Sequence, residues 1–103
     1  MNKQQLEKYK RVKQRLSTQQ TALKKGLEEG RPLSEDIKAF VATSFEMIQL
    51  GDPAWKPEMD RYADQVKSLV EAMEADDPAQ IRKSIETINE CKLSCHKAFR
   101  KAH

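Results

Sequence analysis

The chain has 103 residues, which is enough for one domain with a single modest core and too few for two. It contains only three glycines and four prolines and is rich in Gln, Glu, Lys, Leu and Ala, which favours helices over strands. We therefore predict an all-α fold in a single domain, residues 1–103. No apolar run approaches the roughly 18 residues that span a bilayer, so no membrane insertion is expected.

The charge is unevenly distributed along the chain. Residues 1–31 carry nine Lys or Arg against three acids, a net charge of +6, whereas residues 32–103 carry a net charge of −3. A solvated helix face is the simpler interpretation of the basic segment, and docking to an acidic partner or anionic surface is the alternative. Nucleic-acid binding is not expected, because stacking aromatic residues are not interleaved with the basic ones.

Four segments with apolar residues at three- and four-residue steps indicate four helices. The first is predicted over about Gln4 to Glu29, with Gly30 as its C-terminal stop. Its inward-facing stripe is thin, because Lys13 and Gln20 interrupt it. The stripe consists of Leu6, Tyr9, Leu16, Leu23 and Leu27.

Caps and helix breakers delimit the other three helices. Ser34 is predicted to cap the second helix, which ends at residues 51–53, and Pro57 suits the first turn of the third. The segment Asp76-Asp77-Pro78 is predicted to break the third helix and to cap the fourth. Short connections make neighbouring helices antiparallel, which predicts an antiparallel up-down-up-down four-helix bundle. The expected inward positions are Ile37, Phe40, Val41, Met47, Ile48, Met59, Tyr62, Ala63, Val66, Leu69, Val70, Met73, Ile81, Ile85, Ile88, Cys95 and Phe99.

Both cysteines and one of the two histidines lie within residues 91–96. Two thiols that can add across haem vinyl groups, followed by an imidazole that can bind the iron, are the signature of covalent haem attachment, normally Cys-x-x-Cys-His. Here three residues separate Cys91 from Cys95, and His96 follows directly. On a helical wheel Cys95 lies at the centre of the apolar face, with Cys91 about 40° to one side and His96 about 100° to the other.

Three other interpretations of this cluster stay open. Zinc would take Cys91, Cys95, His96 and His103 as ligands, although Cys95 and His96 diverge by about 100° on one helix. A disulfide between helical positions i and i+4 lies near the upper limit of Cα separation. In the third interpretation both cysteines are small buried hydrophobic residues and His96 lies at the boundary of the core.

The segment Cys95-His96-Lys97-Ala98-Phe99-Arg100, closing the last of four predicted helices, resembles the cytochrome c′ family. The helix order fits throughout, and residue detail matches from about residue 77. The resemblance implies a covalently attached haem c, bonded through Cys91 and Cys95, with His96 as the axial iron ligand. In the family an aromatic-arginine pair follows the axial His by three and four positions, and Phe99 and Arg100 match this pair. Arg100 is the candidate partner of a haem propionate.

The spacing of the two cysteines departs from the family pattern. With two intervening residues the first thiol would fall at Lys92, about 100° around the helix from Cys91. We predict that a one-residue π-bulge between Cys91 and Cys95 absorbs the extra residue, since such bulges are frequent at functional sites. Longer spacings are also tolerated in some relatives of the c-type motif, so both thioethers could form; otherwise Cys95 alone would hold the porphyrin.

The first helix is expected to form the distal side of the haem. Its stripe of Leu6, Tyr9 and Leu16 contains neither His nor a central Met, which predicts a five-coordinate iron bound by His96. Such an iron could bind small diatomic gases, nitric oxide or carbon monoxide, or exchange electrons with a redox partner protein. No catalytic set is visible, so no enzymatic activity is expected.

Two further expectations concern location and the alternative function. Thioethers of the family form after export, which implies a periplasmic location if the chain is exported, although the first 31 residues show no signal-peptide core. The alternative is a cofactor-free helical-bundle interaction module, in which a homodimer could bury the first helix. Trp55 would then be an exposed anchor, whereas in the other interpretation it covers one end of the bundle.

Overall fold

The structure, a computed structural model, describes the backbone of residues 2–51 and 53–102 and the side chains of residues 2–51 and 53–91. This part of the chain is helical and contains no strand, which confirms the predicted all-α class. Within it, no helix combines the length and the apolar character needed to cross a membrane. The elements are α1 (Lys3–Glu29), α2 (Ser34–Leu50), a short 3-10 helix (Pro53–Trp55), α3 (Lys56–Glu74) and α4 (Pro78–Ala102).

The chain divides after Lys56 into two compact units. The first unit holds α1, α2 and the 3-10 helix, and α1 packs against α2 along its length. An ion pair links the two helices, because Arg15 Nη1 lies 3.0 Å from Glu46 Oε2. Both side chains are well exposed, so this pair adds little to stability. The second unit holds α3 and α4.

The start of α1 is fixed by a capping box. The side chain of Asn2 accepts a hydrogen bond from the backbone N–H of Gln5 at 2.8 Å, and the Gln5 side chain accepts one from the Asn2 backbone N–H at 3.1 Å. Two N–H groups that no helical carbonyl could reach are thereby satisfied. The helix consequently begins one residue earlier than the sequence predicted.

The predicted stop at Gly30 is confirmed. Gly30 has φ 69° and ψ 24°, in the left-handed region, and its N–H donates to the carbonyl of Leu27 at 3.3 Å. The N–H of Arg31 donates to the carbonyl of Gly26 at 2.9 Å. These two bonds form a Schellman motif, which satisfies carbonyls that the end of the helix leaves open.

Replacing Gly30 by alanine is expected to lower the free energy of unfolding by about 1 kcal/mol, because a Cβ atom disfavours the left-handed conformation. A Cβ at this position would meet no atom within 4 Å, so the cost comes from the backbone alone. Gly51→Ala is the matched control, since Gly51 has φ −66° and ψ 151°, which any residue adopts. Urea denaturation measures both variants, and equal losses would contradict this explanation.

The predicted cap of α2 is wrong, whereas that of α4 is confirmed. Ser34 is already helical and its side chain makes no capping bond, because the N-cap is Leu33, whose carbonyl accepts from the N–H of Ile37 at 2.8 Å. At α4, Asp77 Oδ1 accepts a hydrogen bond from the N–H of Gln80 at 3.2 Å. Asp77 therefore satisfies one of the open N–H groups of the helix that begins at Pro78.

Most of the predicted inward positions are buried, but Leu6 is not. Leu6 is 39% exposed, so its predicted inward position is wrong; it stands about 80° around the helix from the fully buried Leu16. Val12 of α1, which is not part of the predicted stripe, is buried instead. The buried apolar residues are Tyr9, Val12, Leu16, Leu23, Ile37, Phe40, Met47, Met59, Tyr62, Val66, Leu69, Ala72, Ile81, Ile85 and Ile88.

Candidate functional site

The backbone of α4 carries the two cysteines without any irregularity. Over its described length, from Pro78 to Ala102, it is α-helical and contains no π-helical turn. The predicted π-bulge between Cys91 and Cys95 is therefore wrong. Regular helical hydrogen bonding holds the two positions one turn apart and about 40° apart around the axis.

Cys91 is a free thiol and is half-buried. It lines a cleft of about 330 Å³ between α3 and α4, inside the second unit. This volume is at the lower end of the range, roughly 300–1,000 Å³, that small-molecule sites occupy. The cleft is lined by Arg61, Asp64 and Gln65 of α3 and by Thr87, Glu90 and Cys91 of α4.

The cleft carries charges of both signs. Among the described lining residues, Arg61 is the one cation, and Asp64 and Glu90 are the two acids. An anionic group entering the cleft would be attracted by Arg61 and repelled by the two carboxylates, which restricts it to the Arg61 side. Every lining residue except Cys91 has a polar or charged side chain, so the cleft suits the edge of a planar cofactor better than its apolar face.

Four predicted site residues lie beyond the described side chains. They are Cys95, His96, Phe99 and Arg100, for which the structure gives the helical backbone only, and His103 of the zinc interpretation lies outside the described residues altogether. Their ligand roles stay predictions. Among the side chains of residues 2–51 and 53–91, no group of three or more His, Cys, Asp or Glu could hold a metal ion.

The predicted distal residues lie in the first unit. Tyr9 is 4% exposed and Leu16 is 1% exposed, whereas Leu6 faces solvent. The Tyr9 and Trp55 rings pack in a tilted arrangement, with centroids 5.4 Å apart, and Lys13 Nζ lies 5.6 Å from the centre of the Tyr9 ring. Trp55 is half-buried, and its ring contact with Tyr9 favours a packing role over that of an exposed anchor.

The α3 side of the cleft could not be predicted from the sequence. Arg61 and Asp64 are exposed, and charged residues at such positions look like any solvated helix face. Glu90 is likewise exposed on α4. Only the packing of α3 beside α4 brings these side chains near Cys91, and no motif in the sequence encodes that proximity.

Comparison of the chain with protein-family models, with curated proteins and with solved structures finds no match.

Proposed function

We propose that this chain is a c-type haem protein of the cytochrome c′ kind, with haem bonded to Cys91 and Cys95 and the iron bound by His96. The observation that carries the proposal is the environment of Cys91. This thiol is free, half-buried and opens into a cleft, whereas a purely structural cysteine is usually enclosed in the core.

The regular helix supports attachment through both thiols. Helical residues three and four positions apart are neighbours on one face, with about 5–6 Å between their Cβ atoms. A Cys-x-x-Cys pair uses the first of these spacings, and Cys91 with Cys95 uses the second. Two thioethers to one porphyrin edge are therefore within reach without a π-bulge.

The cleft lined by Cys91 would receive the vinyl edge of a haem. The propionates lie on the porphyrin edge opposite the vinyl groups, so a haem bonded through Cys91 would carry them away from this cleft, and Arg100 stays the candidate partner of a propionate. When bound, the haem supplies a redox-active iron with an open coordination position, for electron transfer or for binding nitric oxide or carbon monoxide.

We further propose that the helices run alternately up and down. The contacts within the first unit support this for α1 and α2, because Arg15 pairs with Glu46 of α2 and the earlier Tyr9 pairs with Trp55 of the 3-10 helix that follows α2. In the second unit, Arg61 of α3 and Cys91 of α4 share a cleft and lie equally far from the connection between the two helices, 13 residues in each case. Both patterns are those of helices joined by short connections.

The proposal is tested by producing the chain in exported form together with haem-attachment machinery and weighing the denatured polypeptide by mass spectrometry. We expect one covalently bound haem on the unaltered chain, and none on the Cys91→Ala/Cys95→Ala double variant. Each single variant should retain haem through the remaining thiol, in smaller yield. Ser94→Ala, between the two thiols, is the control and should load fully. An unmodified mass for the unaltered chain would exclude the haem function and favour the cofactor-free interaction module.

A further inference from the structure

Leu6 is one of two large apolar side chains that are exposed among the described residues, and the other is Phe45 on α2. On α1, Lys3 precedes Leu6 by three positions and Lys10 follows it by four, so both flank it on the same helix face. Both lysines are exposed. Leu6, Lys3 and Lys10 together are called the Leu6 patch below.

The segment around this patch carries a net positive charge, which one acid offsets in part. Residues 3–15 contain six lysines and arginines against one acid, Glu7, which lies about 100° around the helix from Leu6 and is the i+4 neighbour of Lys3 and the i−3 neighbour of Lys10. Of these cations, Arg15 is paired with Glu46 at 3.0 Å. Within the part of the chain that the structure describes, neither Lys3 nor Lys10 has an ion-pair partner. The patch thus presents an apolar centre with a positive rim.

We infer that the Leu6 patch docks an acidic protein surface that offers a small apolar contact at its centre. An apolar centre surrounded by polar or charged residues is the usual anatomy of a protein interface. The positive rim would steer an acidic partner toward the patch and set its orientation. This surface lies in the first unit and does not depend on haem, because none of its residues belongs to the cleft beside Cys91.

Two other classes of partner fit the patch less well. A helix that lies on a membrane inserts a broad apolar face, but Tyr9, Val12 and Leu16 of α1 are buried in the protein, so only Leu6 could insert. Binding of single-stranded nucleic acid requires aromatic rings on which bases can stack. The aromatic residue nearest to the patch along α1 is Tyr9, which is 4% exposed and already packed against Trp55.

The test uses a fluorescein-labelled helical peptide of Glu and Ala with one central Leu, titrated with the full chain and followed by fluorescence anisotropy. Lys3→Glu/Lys10→Glu is expected to weaken binding about tenfold or more, and Leu6→Ala about threefold or more. Lys24→Glu/Lys25→Glu is the matched control, since it makes the same change in net charge on exposed residues of the same helix. It should weaken binding less than about twofold, because these lysines lie several helical turns from Leu6.

Three results would overturn the inference. The first is an absence of peptide binding, and the second is an equal loss of affinity in the control pair, which would show that net charge alone governs binding. The third is tighter binding to phosphatidylserine vesicles or to single-stranded DNA than to the peptide, measured at the same salt concentration. Repeating the titration with Cys91→Ala/Cys95→Ala separates this surface from haem binding, because that variant should bind the peptide normally.

Discussion

Replacing Phe40 by alanine is expected to lower the free energy of unfolding by about 3–5 kcal/mol, the usual cost of removing a buried aromatic ring. Phe40 is 1% exposed and is among the largest fully buried side chains in the described part of the chain. Since small domains are stable by only about 5–15 kcal/mol, this one change would remove a large share of the stability. Urea denaturation followed by circular dichroism measures the effect.

Phe45→Ala is the matched control for this variant. Phe45 lies on the same helix and is 37% exposed, so its truncation removes the same atoms from a site that is still partly in water. We expect a loss of less than about 1 kcal/mol. Similar losses for the two variants would show that α2 does not bury the face containing Phe40.

Replacing His96 by alanine is expected to remove the axial ligand of the iron and to change the visible spectrum of the loaded protein completely. Thioethers to Cys91 and Cys95 would still hold the haem, so loss of the ligand and loss of the haem are separable by mass spectrometry. Free imidazole added to His96→Ala should restore the spectrum, because it supplies the missing nitrogen donor. Optical spectroscopy at neutral pH, with and without imidazole, measures both effects.

His103→Ala is the control, since it removes the other histidine of the chain. Its spectrum is expected to match that of the unaltered protein. A haem-loaded His96→Ala protein with an unchanged spectrum would assign the axial ligand to another residue. A changed spectrum in His103→Ala alone would assign that role to His103.

Helix existence and helix ends follow from local chemistry and could be predicted from the sequence. Gly30 ends α1 because only a residue without a Cβ adopts φ 69° at little cost, and Asp77 begins α4 through a side-chain bond that its position makes available. The failure at Ser34 is also local. Leu33 already occupies the cap position with a right-handed conformation, which leaves the Ser34 hydroxyl one residue too far along to cap the helix.

Burial and the site depend on tertiary packing, which the sequence encodes less directly. Leu6 has the residue type of a buried position but lies about 80° around the helix from Leu16. Near the end of a helix, the apolar pattern alone does not tell whether such a position is covered. The buried polar side chains of Thr43 and Ser44 broke the expected apolar pattern of α2. Arg61 could not be predicted as a neighbour of Cys91, because their proximity exists only once α3 and α4 pack together.

Covalent haem attachment is most directly measured by the reduced spectrum of the exported protein after denaturation in alkaline pyridine. We predict a haem band that stays with the polypeptide, at the position of a porphyrin with both vinyl groups saturated, since a regular helix places Cys91 and Cys95 on one face. A band at the position of one remaining vinyl group would restrict the attachment to a single thiol. The absence of any haem band from correctly exported protein would contradict the haem function itself.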